Sequence, residues 1–176
     1  MFKPAVIIGL VAGATALLAA SLPTDPHQSG AAFVDVGSST GEQSREPLAV
    51  SKLPAFRFVD QTNEPFAREN LLGELTLVHF FFSTCNGPCP GVTSALSPLL
   101  KEFPALRIVS ISIDPAHDTP EVLRQYAERL AAPERRWLFL HGNQAQVLSL
   151  AQFGFGFGID AESKIHSTSA VLFDRA

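Results

Sequence analysis

Residues 75–82 (LTLVHFFF) constrain the fold more than any other stretch of the chain. The run is almost continuously apolar and rich in residues that favour extended backbone. A strand apolar on both faces has to be covered on both, which is the situation of a central strand in a parallel-containing sheet. The run is followed by Ser83-Thr84-Cys85-Asn86-Gly87-Pro88-Cys89-Pro90, and then by residues 90–103 (PGVTSALSPLLKEF). There Val92, Leu96, Leu99, Leu100 and Phe103 recur at helical spacing. Pro98 falls inside that helix and is expected to kink it, because it removes a donor and clashes one turn back.

The same alternation continues. Residues 107–113 (RIVSISI) form a second buried-strand candidate. Residues 120–130 form a helix, with Asp118 or Thr119 as its cap, Pro120 in its first turn and Glu121 completing an Asp-x-x-Glu capping box. A short strand at 137–140, a short helix at 144–153 and a last strand at 167–173 (STSAVLF) follow. Upstream, residues 53–60 (LPAFRFVD) alternate as a short strand, and residues 61–64 supply a polar turn. Strand–helix–strand repetition means βαβ units and a mixed sheet with flanking helices. No strand follows residue 173 to pair with the last one. The domain therefore reads as truncated at its C-terminus, with an exposed apolar edge of the kind natural proteins cover.

The N-terminus has a different character. Lys3 is the only charged side chain before Asp25, and residues 5–22 (AVIIGLVAGATALLAASL) carry no charge. As a helix they span about 27 Å, close to a bilayer core of roughly 30 Å. Residues 1–22 read as a retained membrane anchor or as a signal peptide cleaved near Ala19-Ala20-Ser21. In both cases Lys3 stays inside and the rest is exported. Residues 23–50, rich in Pro, Gly, Ser and Thr, read as a linker, and residues 51–176 as the domain. The expected location is the bacterial inner membrane, with the domain in the periplasm. A net charge of −4 on 176 residues argues against nucleic-acid binding, which needs a basic face.

That compartment is oxidising, so two cysteines four positions apart are a redox couple or need a partner to keep them reduced. Two are too few for a disulfide scaffold or a four-thiolate zinc site. A structural disulfide or a pair of buried thiols is the plain alternative. The strand-to-helix position argues for reactive sulfur, since a thiol there faces free backbone donors and the positive end of the helix dipole. Three residues separate the cysteines, where thioredoxin-type redox sites use two. The longer loop can close a disulfide, or let both sulfurs converge on one ion. Two thiolates suit Cu(I), and an added imidazole suits Cu(II) as well.

Five histidines are available. His27 falls in the linker. His79 lies within the buried strand and reads as a satisfied core histidine. His141 ends a strand at a turn. His117 sits in a loop after a strand, on the side of the sheet where ligands gather. His166 directly precedes the last strand, after the Gly-rich stretch 154–158 (GFGFG).

Three segments occur in a fixed order: Thr84-Cys85-x-x-x-Cys89-Pro90, Ile111-Ser112-Ile113-Asp114-Pro115-x-x-Asp118-Thr119-Pro120-Glu121, and His166-Ser167 leading into Ala170-Val171-Leu172-Phe173-Asp174. Together they resemble the SCO/SenC family of membrane-tethered, thioredoxin-like copper proteins. The resemblance implies an α/β, thioredoxin-like three-layer fold with an added β-hairpin, whose final strand and helix are missing here. It implies copper bound by Cys85, Cys89 and His166, and a metallochaperone delivering it to the CuA site of cytochrome c oxidase subunit II. A copper donor and a thiol reductant are the further partners implied. A thiol–disulfide oxidoreductase role, with Cys85 and Cys89 as the redox-active pair, is also attributed to the family and is the alternative function. A peroxidase or redox sensor, suggested by Thr84 beside a cysteine, is a third reading. Asp114 and Asp118 are candidates for tuning the site from behind. The chain departs from the family pattern at Asn86, where Pro is frequent, and at Ile165, where Asp is frequent.

Overall fold

The computed structural model describes residues 31–35, 49–85, 89–160, 165–166 and 169–175. The strands are β1 (Ala31–Asp35), β2 (Arg57–Val59), β3 (Pro65–Ala67), β4 (Leu75–Phe81), β5 (Leu106–Ser112), β6 (Trp137–Leu140), β7 (Ile159–Asp160), β8 (Ile165–His166) and β9 (Ser169–Phe173). The helices are α1 (Cys89–Leu96), α2 (Leu99–Glu102), α3 (Pro120–Arg129) and α4 (Gln144–Ser149), the last continuing into a π-turn at Leu150–Gly154. The central sheet has the order β1-β9-β4-β5-β6. β4, β5 and β6 run parallel, and β9 is antiparallel to β4.

Alternate residues of the central strands enter two separate cores. Val78, Phe80, Val109, Ile111, Val171 and Phe173 face one side, with Phe58, Phe66, Val147, Leu150 and Phe155. Leu77, Phe81, Ile108 and Leu172 face the other, where Leu96, Leu100 and Leu123 from α1, α2 and α3 cover them. The period of two along strands buried on both faces thus produces the three layers expected. Both parallel connections lie on the α1–α3 side, as a single handedness of crossover requires.

Pro98 acts more strongly than a kink. The helix expected over residues 90–103 is broken into α1 and α2, with Ser97-Pro98 between them. At α3 it is Thr119 that caps, its hydroxyl accepting the Val122 N–H at 3.4 Å. Asp118, the other capping candidate, is used elsewhere.

Two differences concern edges. Residues 31–35, inside the stretch read as linker, form β1 and pair antiparallel with β9. The edge expected to be open beside the last strand is therefore filled, by a short apolar segment whose Gly- and Ser-rich surroundings conceal it. On the opposite edge, Gln61 substitutes for a neighbouring strand. Its Nε2 donates to Trp137 O at 3.1 Å and its Oε1 accepts Phe139 N–H at 2.8 Å, occupying β6 groups that an exposed edge would leave open. Among the described residues no helix is long and apolar enough to cross a membrane. The candidate anchor, residues 1–22, lies outside them.

The β2–β3 hairpin turns through residues 61–64 as expected. Asp60 Oδ1 accepts the N–H groups of Thr62 and Glu64 at 2.7 and 3.0 Å, and Asn63 takes φ 64°. The hairpin docks on the end of β6 through the reciprocal Val59–His141 backbone bonds, both 2.9 Å. Gly142 allows this approach, because a Cβ there would stand 2.0 Å from Phe58 Cδ1. Gly142→Ala is expected to cost ~3 kcal/mol, since its Cβ would overlap the buried Phe58 ring. Chemical denaturation measures this. A loss below about 0.5 kcal/mol would show that the hairpin does not need so close a contact.

Candidate metal centre at the cysteine loop

The sheet brings three chemically distinct segments to one end. β4 runs out at Phe81 and the chain turns through Ser83 and Thr84 to Cys85, whose N–H donates to Phe82 O at 3.3 Å. Cys85 is a free, half-buried thiol. Cys89 is the first residue of α1, where backbone N–H groups lack intrahelical acceptors and the dipole is positive. β5 ends at Ser112, opposite Phe81 in the parallel register, and leads into the loop that carries Asp114, His117 and Asp118. β9 pairs with β4 so that Ala170 lies opposite His79. The first residue of β9 therefore sits toward the carboxyl end of β4, and β8, with His166, lies three residues before it. The side chains of Cys89 and His166 lie outside the described residues, as do residues 86–88. Cys89 opens α1 at the carboxyl end of β4, where ligands of open α/β sheets bind, and His166 lies in β8, three residues before β9.

Asp118 joins two of these segments. Its side chain is fully buried. Oδ2 accepts the Ser83 N–H at 3.0 Å and the Ser112 hydroxyl at 2.6 Å. Oδ1 accepts the Ser83 hydroxyl and lies 3.0 Å from His117 Nδ1. The Ser112 hydroxyl also accepts the Asp114 N–H at 3.0 Å. A buried carboxylate is tolerated only when donors saturate it, and here Ser83, Ser112 and His117 surround it. The result is a clamp that fixes the stem of the cysteine loop, two residues before Cys85, to the β5–α3 loop. Asp118 was a candidate for tuning the site from behind; the structure shows it bonded to the loop stem.

Ser83 and Ser112 were not singled out from sequence. A signal existed: each is a small hydroxyl residue at or just beyond the end of an apolar run, with an acidic residue close behind the second. It becomes legible only when the two strands are known to be neighbours.

The other histidines separate cleanly. His79 is buried, with Nε2 2.7 Å from Ser110 Oγ, which also accepts Trp137 Nε1–H at 2.9 Å. It is the core histidine expected. His141 holds Asp118 O through Nδ1 at 2.9 Å, so it braces the same loop. His117 has an exposed side chain. His27 lies outside the described residues.

Comparison with known proteins bears on the family and the fold. A family model described as SCO1/SenC matches residues 44–176. The SCO1 protein homolog of Bacillus subtilis is 31% identical over 131 residues, covering 72% of this chain and 67% of that protein. The chain spans about half the length of SCO2-like proteins from Rickettsia species that it also matches. Among solved structures, a SCO1/SenC family lipoprotein from Bacillus anthracis superposes with a TM-score of 0.63 at 29% identity, over 70% of this chain and 79% of that one. BsSco, described with a disulfide switch and as a member of the Sco family of cytochrome c oxidase assembly proteins, gives 0.61 at 28%, over 74% and 81%. Yeast Sco1 solved with copper bound gives 0.50 at 27%, over 58% of each chain. The thioredoxin-like architecture, the ordered motifs and these matches agree: the chain belongs to the SCO1/SenC family.

Proposed function

We propose that this chain is a copper carrier in which Cys85, Cys89 and His166 hold one copper ion for delivery to the CuA site of cytochrome c oxidase subunit II. The reading is supported by the two cysteines standing at the β4–α1 junction, with a histidine three residues before the strand that pairs with β4, in a chain whose family includes a copper-bound member. The donor chemistry fits: soft thiolates select Cu(I), and an imidazole extends the set to Cu(II). Three ligands leave one side of the ion open, from which a recipient's Cys or His captures it by ligand exchange. No net redox change is needed. β7 and β8 are two-residue strands that pair with each other, on the far side of residues 154–158. A ligand on so short a ribbon is suited to arrive after the thiolates and to leave before them.

Loading requires both thiols reduced, so an exported carrier needs a thiol reductant as well as a copper donor. Residues 1–22, as anchor or signal peptide, would place the domain on the periplasmic face, and the lipoprotein relative supports attachment to the envelope. The second reading, a thiol–disulfide oxidoreductase acting on oxidase cysteines, is favoured by the disulfide switch described for BsSco. Replacing the histidine separates the two. His166→Ala is expected to lower Cu(II) affinity by roughly a hundredfold, about 2.7 kcal/mol. It should leave the rate of disulfide reduction within about twofold. Unchanged Cu(II) binding, followed by competition with a chelator, would remove His166 from the ligand set.

A further inference from the structure

The β5–α3 loop presents an exposed imidazole beside the stem of the cysteine loop. His117 is pinned on two sides. Its N–H donates to Asp114 O at 3.0 Å, and its carbonyl accepts the Thr119 N–H at 2.9 Å. Its ring is held by Nδ1, 3.0 Å from Asp118 Oδ1 and 3.4 Å from Ser83 Oγ. The carboxylate already accepts from three other groups and has only lone pairs to offer, so Nδ1 carries the proton. In the neutral ring Nε2 is then the bare lone pair. Nothing among the described residues bonds it, and the His117 side chain is 51% exposed. Carboxylate, Nδ1–H and open Nε2 is the arrangement that orients metal-ligating histidines. It stands next to Ser83, which begins the turn into Cys85.

We propose that His117 is the entry ligand of the site: Nε2 takes an incoming copper ion first and passes it to the cysteines. The inference rests on the copper reading above. In the step, imidazole replaces one water on the ion. The ion then leaves Nε2 as the Cys85 and Cys89 thiols bind it and release their protons to solvent. No electron is transferred. An exposed nitrogen with an open lone pair meets a hydrated ion before the half-buried sulfur does, so a histidine at the rim speeds loading without altering the final site.

The test is stopped-flow mixing of the full, reduced chain with copper(II) sulfate, following thiolate-to-copper absorption. His117→Ala is expected to slow loading about tenfold and to reach the native end-point spectrum. His117→Gln keeps a donor toward Asp118 but lacks the ligating nitrogen, so it should be equally slow. His27→Ala should load at the native rate. Native loading rates in both His117 variants would overturn the proposal. So would rescue by Gln, which would mean that His117 only supports Asp118, and so would an altered end-point spectrum. A native chain that takes up no copper would instead overturn the copper reading beneath it.

Discussion

Asp118→Ala is expected to destabilise the domain by about 3 kcal/mol, with a fall in Tm of about 10 °C. The carboxylate is fully buried, and its removal takes away the acceptor used by the Ser83 N–H and the buried Ser112 hydroxyl. Each buried orphan costs about 1–3 kcal/mol, and the lost side chain leaves a gap besides. Against a total stability of about 5–15 kcal/mol this is a large fraction. Asp118→Asn is expected to recover only part of it, because its NH2 turns a donor toward donors. Thermal unfolding measures the loss. The same variants test the clamp as a device for the site, since freeing Ser83 releases the stem of the cysteine loop. In Asp118→Asn, below its Tm, Cys85 should react with an alkylating reagent several-fold faster or slower than in the native chain. A native rate would limit Asp118 to a stabilising role.

Cys85→Ser is expected to abolish tight Cu(I) binding, with a loss of roughly a hundredfold or more in affinity, about 2.7 kcal/mol. A hydroxyl is a hard, poorly acidic donor in place of a soft thiolate. The residue is half-buried on a loop, so the folded domain should change by no more than about 0.5 kcal/mol. That separates loss of a ligand from loss of the fold. Cys89→Ser should behave alike toward copper. Competition against a Cu(I) chelator measures both, and native affinity in either variant would exclude that sulfur from the site.

The central sheet was legible because its strands are buried on both faces and therefore read as apolar runs; residues 75–82, 107–113 and 137–140 all meet β4, β5 and β6 closely. What escaped was short or disguised. β3 has three residues and begins with Pro65, while β7 and β8 have two each, too few to show a period. β1 hides in a stretch whose average composition is that of a linker. The cysteines announced themselves by spacing and by their position between strand and helix. Asp118 did not, because an acidic residue before a helix reads as a cap. Its partners are 35 and 6 residues away, a distance that only the β4–β5 register closes. His166 carries no periodic signal, and its place in the proposed ligand set rests on family resemblance.

A copper site made from reduced cysteines can be checked by one titration. The full chain, prepared reduced and as its Cys85–Cys89 disulfide, is titrated with Cu(I) against a competing chelator. The account predicts one tightly held ion per reduced chain, none in the oxidised chain, and recovery of binding when a thiol reductant is added. Equal binding by the two forms, or no binding by the reduced one, would contradict it.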